Sequence, residues 1–131
     1  MEAPALILFA HGARDARWAA SFEAVLAAVH AAAPQRDPML AFLEFMAPSL
    51  GEAVAQQVAR GHRHVRIVPL FLGPGGHLRS EVPALVDAAR AAHPGLALDL
   101  LPPAGEDAGV IAALAAYCLA PGGMGAPAQR A

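Results

Sequence analysis

The sequence predicts an α/β fold in which helices cover a four-stranded, mainly parallel sheet, forming a three-layer αβα sandwich. Short apolar runs alternate along the chain with segments whose apolar residues recur at helical spacing. The connections are only a few residues long, as right-handed β-α-β crossovers allow. A chain of 131 residues is about the size of one domain. We expect a single domain over residues 1–120 and a disordered tail, rich in Gly, Pro and Ala, over residues 121–131.

The first predicted strand and helix come before Pro34. Residues 5–10 form an apolar run that stops at His11 and Gly12, as a strand buried on both faces would. A helix follows and ends near Pro34. Its apolar positions have the spacing of an amphipathic helix and are Trp18, Phe22, Val25, Leu26 and Val29.

The second predicted strand covers residues 39–45, and a helix follows it. This helix begins either with Pro48 in its first turn or with Ser49 and Glu52 as a capping box. Gly61 ends it. Its predicted core-facing residues are Leu50, Val54 and Val58.

Two further pairs of strand and helix complete the pattern. The third strand covers residues 65–70 and leads into a Gly- and Pro-rich loop over residues 73–77. The third helix starts around Ser80, and its predicted inward residues are Val82, Leu85, Val86 and Ala89. The fourth strand covers residues 96–101. The fourth helix is predicted from the spacing of Val110, Ile111, Leu114, Tyr117 and Cys118.

The composition excludes several classes of protein. Apolar residues make up 56% of the chain and charged residues 15%, which excludes intrinsic disorder for most of its length. The net charge is −2 and all 9 basic residues are arginine, so nothing indicates nucleic-acid binding. No apolar run is long enough for a membrane span or a secretion signal. The single cysteine, Cys118, cannot form an internal disulfide, so we expect a cytoplasmic protein.

Three potential metal ligands follow three predicted strands. His11 follows the first strand, Glu44 closes the second, and His77 lies in the loop after the third. Each is separated from the next by 33 residues, which is one β-α step each time. In open α/β sheets ligands bind beyond the carboxyl ends of the strands. Two imidazoles and one carboxylate suit Co²⁺, Fe²⁺, Ni²⁺ or Zn²⁺, with coordination positions left open for exchange.

Each of these residues also has a simpler explanation. A histidine at a strand end is often a hydrogen-bonded structural residue. The Glu44 carboxylate, placed among apolar neighbours, would be costly to bury without a partner, and an arginine could be that partner. The remaining histidines lie late in predicted helices or at the opposite edge of the sheet, and we expect no chemical role for His30, His62, His64 and His93.

Arginines and glycines surround the predicted metal ligands. Arg14 and Arg17 follow His11, and Arg79 follows His77. They are either solvated charges or the rim of a cleft that binds a ligand with several carboxylates. The glycines before His77, Gly75 and Gly76, either form a tight loop or let the backbone approach a bulky ligand.

Three motifs carry a resemblance to a known family. They read AHGARDARW over residues 10–18, FLE over 42–44 with PSL over 48–50, and VPLFL over 68–72 with GH over 76–77 and VP over 82–83. In this order and spacing they resemble the small sirohydrochlorin chelatases, the CbiX type of the class II tetrapyrrole chelatases. The resemblance covers nearly the whole predicted domain and implies a single chelatase-like lobe.

The resemblance implies a reaction and roles for the candidate residues. The protein would insert Co²⁺ or Fe²⁺ into sirohydrochlorin without ATP, for cobalamin or siroheme biosynthesis, and would need no cofactor beyond that substrate metal. His11 and His77 would bind the metal or accept pyrrole protons. Glu44 would bind metal or move protons. Arg14, Arg17 and Arg79 would orient the carboxylates of the macrocycle, and Gly75 and Gly76 would also contact it.

The resemblance also bears on partners and on rival functions. Larger relatives hold the macrocycle between two similar lobes, so we expect a homodimer here, with no nucleic-acid or membrane partner. One rival is a metal-delivery protein of the same fold without chelatase activity. A second is a small α/β phosphatase or hydrolase, which is weak because the chain has no nucleophile elbow or phosphate loop. A third is a catalytically silent dimeric scaffold.

Overall fold

The computed structural model describes residues 3–73 and 75–121, and within that range the side chains of Gly76 and His77 are left out. Four parallel strands form one sheet in the order β2-β1-β3-β4. The strands are β1 (Ala5–Ala10), β2 (Met39–Phe42), β3 (His64–Pro69) and β4 (Ala97–Leu100). The helices are α1 (Ala20–Ala32), α2 (Leu50–Ala59), α3 (Gly75–Ala92) and α4 (Ala108–Cys118). The predicted α/β class is confirmed, and the sheet is wholly parallel.

The central strand β1 anchors the core. All six of its residues are buried, because β1 lies between two other strands and both of its faces are covered. On one face α2 and α3 pack against each other and against the sheet. Along the sheet, the connection from β1 to β2 runs in one direction, whereas the connections from β2 to β3 and from β3 to β4 run in the other. Because all three crossovers are right-handed, α1 lies on the opposite face of the sheet from α2 and α3. The largest fully buried apolar residues are Ile7, Phe9, Val54, Val65, Ile67 and Val86.

Helix α2 begins as the capping-box alternative predicts. The Ser49 side chain accepts a hydrogen bond from the Glu52 backbone N–H, and the Glu52 carboxylate accepts one from the Ser49 N–H. Gly61 follows the helix with a positive φ of 96°, as expected of a residue that ends a helix. Local sequence alone therefore fixes both ends of this helix.

Helix α3 differs from the prediction at its start and on one face. It begins at Gly75, so Gly75, Gly76 and His77 belong to its first turn, and their placement in a loop was wrong. Glycine is tolerated there because the first turn has few intrahelical hydrogen bonds to lose. The prediction that Leu85 faces inward was also wrong, since it is exposed beside the buried stripe of Val82, Val86 and Ala89.

Helices α1 and α4 bury less than predicted. No residue of α1 is fully buried, and Val25, one of the apolar positions from which the amphipathic helix was predicted, is exposed. Every residue of α4 from Ile111 onward is exposed, including the large apolar Leu114 and Tyr117. The helix packs chiefly against the 3₁₀ turn Ala104–Glu106. A strongly apolar helix thus lies at the end of the domain, and little in the described part of the chain covers it.

The tail predicted to be disordered lies beyond the described residues, apart from Pro121. Within residues 3–73 and 75–121, no helix is both long and apolar enough to cross a bilayer.

Candidate functional site

Two of the predicted ligands are in contact at the carboxyl edge of the sheet. His11 is the first residue after β1, and Glu44 is the second residue after the neighbouring strand β2. The ring Nε2 of His11 lies 2.9 Å from the Glu44 Oε2. An ionised carboxylate can only accept, so Nε2 donates, and in the neutral ring Nδ1 keeps the lone pair. We call His11 and Glu44 the dyad.

Backbone hydrogen bonds hold the two halves of the dyad together. The Leu43 N–H donates to the Ala10 carbonyl over 2.9 Å, and the Glu44 N–H donates to the His11 carbonyl over 3.1 Å. The chain after β2 therefore stays beside the chain after β1 for two residues beyond the last strand pair, and this fixes the backbone from which both side chains extend.

Gly12 makes this close approach possible. It has a positive φ of 96°, and a Cβ built on it would lie 1.9 Å from the Glu44 carbonyl oxygen. Only a residue without a side chain fits there. The sequence places Gly12 at the end of the first strand but does not indicate this role, because the contact is with a residue far along the chain.

The residue after Glu44 forms an unusual turn. The Met46 N–H donates to the Glu44 carbonyl over 2.8 Å, which closes a three-residue γ-turn centred on Phe45. The φ of Phe45 is +67°, so this is the rare, strained form of the turn. The turn breaks the extended chain and places Glu44 at the open edge.

The environment of Glu44 differs from the expectation of an apolar one. The strand ends at Phe42 rather than continuing to residue 45, so the apolar neighbours of Glu44 do not enclose it. About half of each side chain in the dyad is exposed, 46% for His11 and 48% for Glu44. Within the described residues, the partner of Glu44 is His11 and not an arginine. A solvent-accessible imidazole–carboxylate pair can bind a divalent cation or exchange a proton with a ligand.

The loop after β3 supports His11 from the other side. The ring of Phe71 packs edge-on against the His11 ring, with 6.3 Å between their centroids. This loop is held by Gly105, whose N–H donates to the Phe71 carbonyl over 2.9 Å. A Cβ on Gly105 would lie 1.6 Å from the Leu72 carbonyl oxygen, so the close approach again requires glycine. The sequence places Phe71 in the VPLFL motif but indicates no role in the site for Phe71 or Gly105.

The third predicted ligand lies on the same side of the sheet. His77 is in the first turn of α3, the helix that follows β3, but its side chain and that of Gly76 are outside the described residues. Gly75 begins the helix with a φ of +64°. Among the side chains that are described, no three of His, Cys, Asp or Glu form a group that could hold a metal ion. The described part of the site is therefore the dyad.

The three predicted arginines have different surroundings. The Arg14 guanidinium lies 4.5 Å from the centroid of the Phe45 ring, as a cation–π contact beside the dyad. Arg17 instead forms hydrogen bonds to both oxygens of Asp15. These bonds lower the pKa of the Asp15 carboxyl and raise that of the Arg17 guanidinium. Arg79 lines a cavity of about 270 Å³ between α3 and the turn Ala104–Glu106.

The histidines predicted to lie at the opposite edge are engaged there with aspartates. His62 is bonded to Asp37 over 2.9 Å, and His64 is bonded to Asp99 over 2.8 Å. In each pair the hydrogen bond from the histidine holds the pKa of the aspartate below its usual value. One pair joins the loop after α2 to the segment before β2, and the other joins β3 to β4, at the end of the sheet away from the dyad.

A family model described as CbiX matches residues 5–118 of the chain, which includes both members of the dyad. Among characterised proteins, the chain is 36% identical over 53 residues to the sirohydrochlorin cobaltochelatase of Priestia megaterium. That match covers 40% of this chain and 17% of the length of the Priestia protein.

Solved structures show the same architecture. A CbiX protein of Marinobacter aquaeolei VT8, assigned to cobalamin biosynthesis, is 31% identical with a TM-score of 0.75, over 89% of this chain and 93% of that one. The sirohydrochlorin chelatase SirB of Bacillus subtilis subspecies spizizenii, solved with cobalt, is 23% identical and also has a TM-score of 0.75. The match covers 88% of this chain but 49% of SirB, so the chain spans about half the length of that protein.

Proposed function

The chain belongs to the CbiX family, and on that premise we propose that it is a sirohydrochlorin chelatase, which inserts Co²⁺ or Fe²⁺ into the macrocycle without ATP. The product would serve cobalamin or siroheme biosynthesis. The observation that carries this proposal is the dyad: an imidazole and a carboxylate 2.9 Å apart and half exposed at the edge of the sheet where α/β proteins bind ligands.

The dyad suits a reaction that exchanges protons for a metal ion. Insertion of a divalent metal removes two protons from the pyrrole nitrogens, and a base must accept them. With Nε2 donating to Glu44, the Nδ1 of His11 is the atom that accepts a pyrrole proton or binds the incoming ion. Glu44 orients the ring and offsets the positive charge of the protonated form, the role a carboxylate commonly has behind a catalytic or metal-binding histidine.

The incoming metal is a substrate and must be released to the macrocycle. Few protein ligands with open coordination positions hold an ion weakly enough for transfer, whereas four protein ligands would retain it. We propose His77 as the second imidazole ligand, because it lies at the start of the helix that follows β3 on the same side of the sheet. Gly75, Gly76, Arg17 and Arg79 remain proposed contacts for the macrocycle. In this proposal His11, Glu44 and His77 would leave coordination positions open, so that the ion can pass to the macrocycle.

Anaerobic mixing of the protein with sirohydrochlorin and Co²⁺ or Fe²⁺ tests the function directly. We expect the absorbance of the metal-free macrocycle to be replaced by that of the metal complex, faster than in the same mixture without protein. The insertion rates measured in the same assay with Ni²⁺ or Zn²⁺ give the metal preference. A protein that binds Co²⁺ but leaves the insertion rate at the spontaneous background would instead be a metal-delivery protein of the same fold.

We also propose that two copies of the chain form a homodimer that rebuilds a two-lobed cleft. Two features support this: the chain spans about half the length of SirB, and within residues 3–73 and 75–121 little covers the apolar helix α4. Three large apolar residues of α4 are exposed, Ile111 at 51%, Leu114 at 42% and Tyr117 at 81%. Such a group on one helix is unusual for a monomer. The single cysteine further favours a cytoplasmic location for this dimer.

Sedimentation equilibrium at micromolar concentration tests the dimer. We expect a dimer for the unmodified chain, and we expect Leu114→Glu to shift it to monomer, because a charge on α4 would have to be buried in the interface. Leu85→Glu is the matched control, since Leu85 is also exposed but lies on α3, and this variant should remain dimeric. A monomeric unmodified chain, or a Leu114→Glu variant that stays dimeric, would contradict the proposed interface.

A further inference from the structure

Two large apolar side chains are exposed at the edge of the sheet that carries the dyad. Phe45 is 55% exposed and Leu72 is 69% exposed. Phe45 follows β2 and Leu72 follows β3, while His11 follows β1, the strand between them. The two apolar residues are therefore in the loops on either side of the His11 imidazole.

Contacts with the rest of the chain hold both loops in place. On one side, the Glu44 N–H donates to the His11 carbonyl and fixes the γ-turn centred on Phe45. On the other, the Leu72 carbonyl lies against Gly105. Phe71, next to Leu72, packs on the His11 ring and is itself buried. The exposed side chains thus extend from fixed backbone beside the dyad.

The backbone of Phe45 is in a conformation that phenylalanine disfavours. A φ of +67° at the centre of a γ-turn is unstrained only for glycine, yet this position carries a bulky ring. More than half of this residue is exposed, so packing in the folded chain does not account for the conformation. A strained residue whose side chain adds little to the core is more readily explained by contact with a ligand.

Arg14 adds a charge to this apolar surface. Its guanidinium stacks on the Phe45 ring and makes no ion pair with the part of the chain that the structure describes. The guanidinium of Arg17, by contrast, is held by Asp15. Of the two arginines after β1, Arg14 is the one whose hydrogen-bond donors are available to a carboxylate of a ligand.

We propose that Phe45 and Leu72 form the surface on which one face of the macrocycle rests, with Arg14 binding a carboxylate at the ring edge. This inference rests on the proposed chelatase function and identifies the residues that determine substrate binding. A flat, largely apolar ring with acidic side chains at its periphery matches two apolar side chains bordered by a guanidinium. Contact on both sides of His11 would bring the pyrrole nitrogens towards the imidazole.

Binding of metal-free sirohydrochlorin, followed by fluorescence or absorbance, tests the surface without requiring insertion. Phe45→Gly removes the ring and relieves the positive φ, so the variant should unfold at the same or higher urea concentration as the unmodified chain. We expect its Kd for sirohydrochlorin to rise about 10-fold or more, because a buried phenylalanine contact is lost. Leu72→Ala should also raise the Kd, and Arg14→Ala should raise it most at low salt.

Val25→Ala is the control, because Val25 is an exposed apolar residue on α1, away from this surface. Its Kd should not change. Unchanged Kd values for Phe45→Gly and Leu72→Ala would overturn the inference. It would also be overturned if these variants became monomeric but still bound sirohydrochlorin normally, because the surface would then be an interface between two copies of the chain. If the unmodified chain neither binds nor metallates sirohydrochlorin, the proposed function fails. If it does both while the variants behave normally, only this inference fails.

Discussion

Replacing His11 with alanine will lower the rate of metal insertion by about 100-fold or more, the usual effect of removing a general base. His11 provides the only imidazole among the described side chains at this edge of the sheet, and its Nδ1 is the proposed acceptor of a pyrrole proton. Binding of the metal-free macrocycle should change much less, because the proposed contacts with its face are made by Phe45 and Leu72. Stopped-flow absorbance under anaerobic conditions measures both quantities.

Glu44→Gln separates the two possible roles of the carboxylate. Glutamine keeps a hydrogen bond to the ring but removes the charge, and we expect the insertion rate to fall about 10- to 100-fold. If Glu44 acts through His11, the double variant will be no slower than His11→Ala alone. If Glu44 binds the metal independently, the two losses will multiply.

His30→Ala is the control for both variants. His30 is an exposed histidine late in α1, outside the site, and alanine is well suited to a helix. The insertion rate of this variant should equal that of the unmodified chain. Retention of the full rate by His11→Ala would show that the dyad has no part in the reaction.

The second large effect is expected at Gly12. In Gly12→Ala, the added Cβ would meet the Glu44 carbonyl oxygen, and the chain after β2 would have to move away from His11. We expect a loss of about 2 kcal/mol or more in the free energy of unfolding, since the clash adds to the cost of a positive φ. The insertion rate should also fall, because the two atoms of the dyad would no longer be within hydrogen-bond distance. Urea unfolding and the insertion assay give the two values.

Alanine substitutions at two other glycines separate the two causes of the lost stability, the clash and the positive φ. Gly61 has the same φ of 96° but no atom within 4 Å of an added Cβ, so Gly61→Ala measures the cost of the backbone conformation alone, about 1 kcal/mol. Gly51, in α2, has ordinary helical backbone and open space around it, and Gly51→Ala should not destabilise the chain. Equal losses for Gly12→Ala and Gly61→Ala would mean that the contact with Glu44 is unimportant.

The fold could be predicted from the sequence because it depends on patterns of residues that are close together along the chain. The alternation of apolar runs with helical spacing gave the order of the elements, and Ser49 and Glu52 gave the start of α2 through hydrogen bonds three residues apart. The errors occur where local preference is overruled. Glycines at positions 75 and 76 indicated a loop, yet they lie in the first turn of α3, where the cost of glycine is small. The apolar residues of α4 predicted burial, but no partner for that face lies within the described part of the domain.

The candidate site could be predicted from the sequence only in part. The sequence identified His11, Glu44 and His77 as residues that follow parallel strands, so it could indicate a common edge but not a geometry. The contact between His11 and Glu44 depends on hydrogen bonds between two loops and on the missing side chain of Gly12. The exposure of Glu44 depends on a γ-turn that apolar patterning does not predict.

By itself, the sequence determined the α/β class, the order of the strands and helices along the chain, and the types of chemical group available at the strand ends. Those properties follow from spacings of a few residues, which the backbone geometry of strands and helices converts directly into structure. Only the tertiary structure decided that His11 bonds to Glu44 and that Arg14 stacks on Phe45 while Arg17 is held by Asp15. It also decided that the other described elements leave most of α4 exposed. These outcomes depend on how loops and helices pack, and on close approaches at Gly12 and Gly105 that involve residues more than 30 positions away.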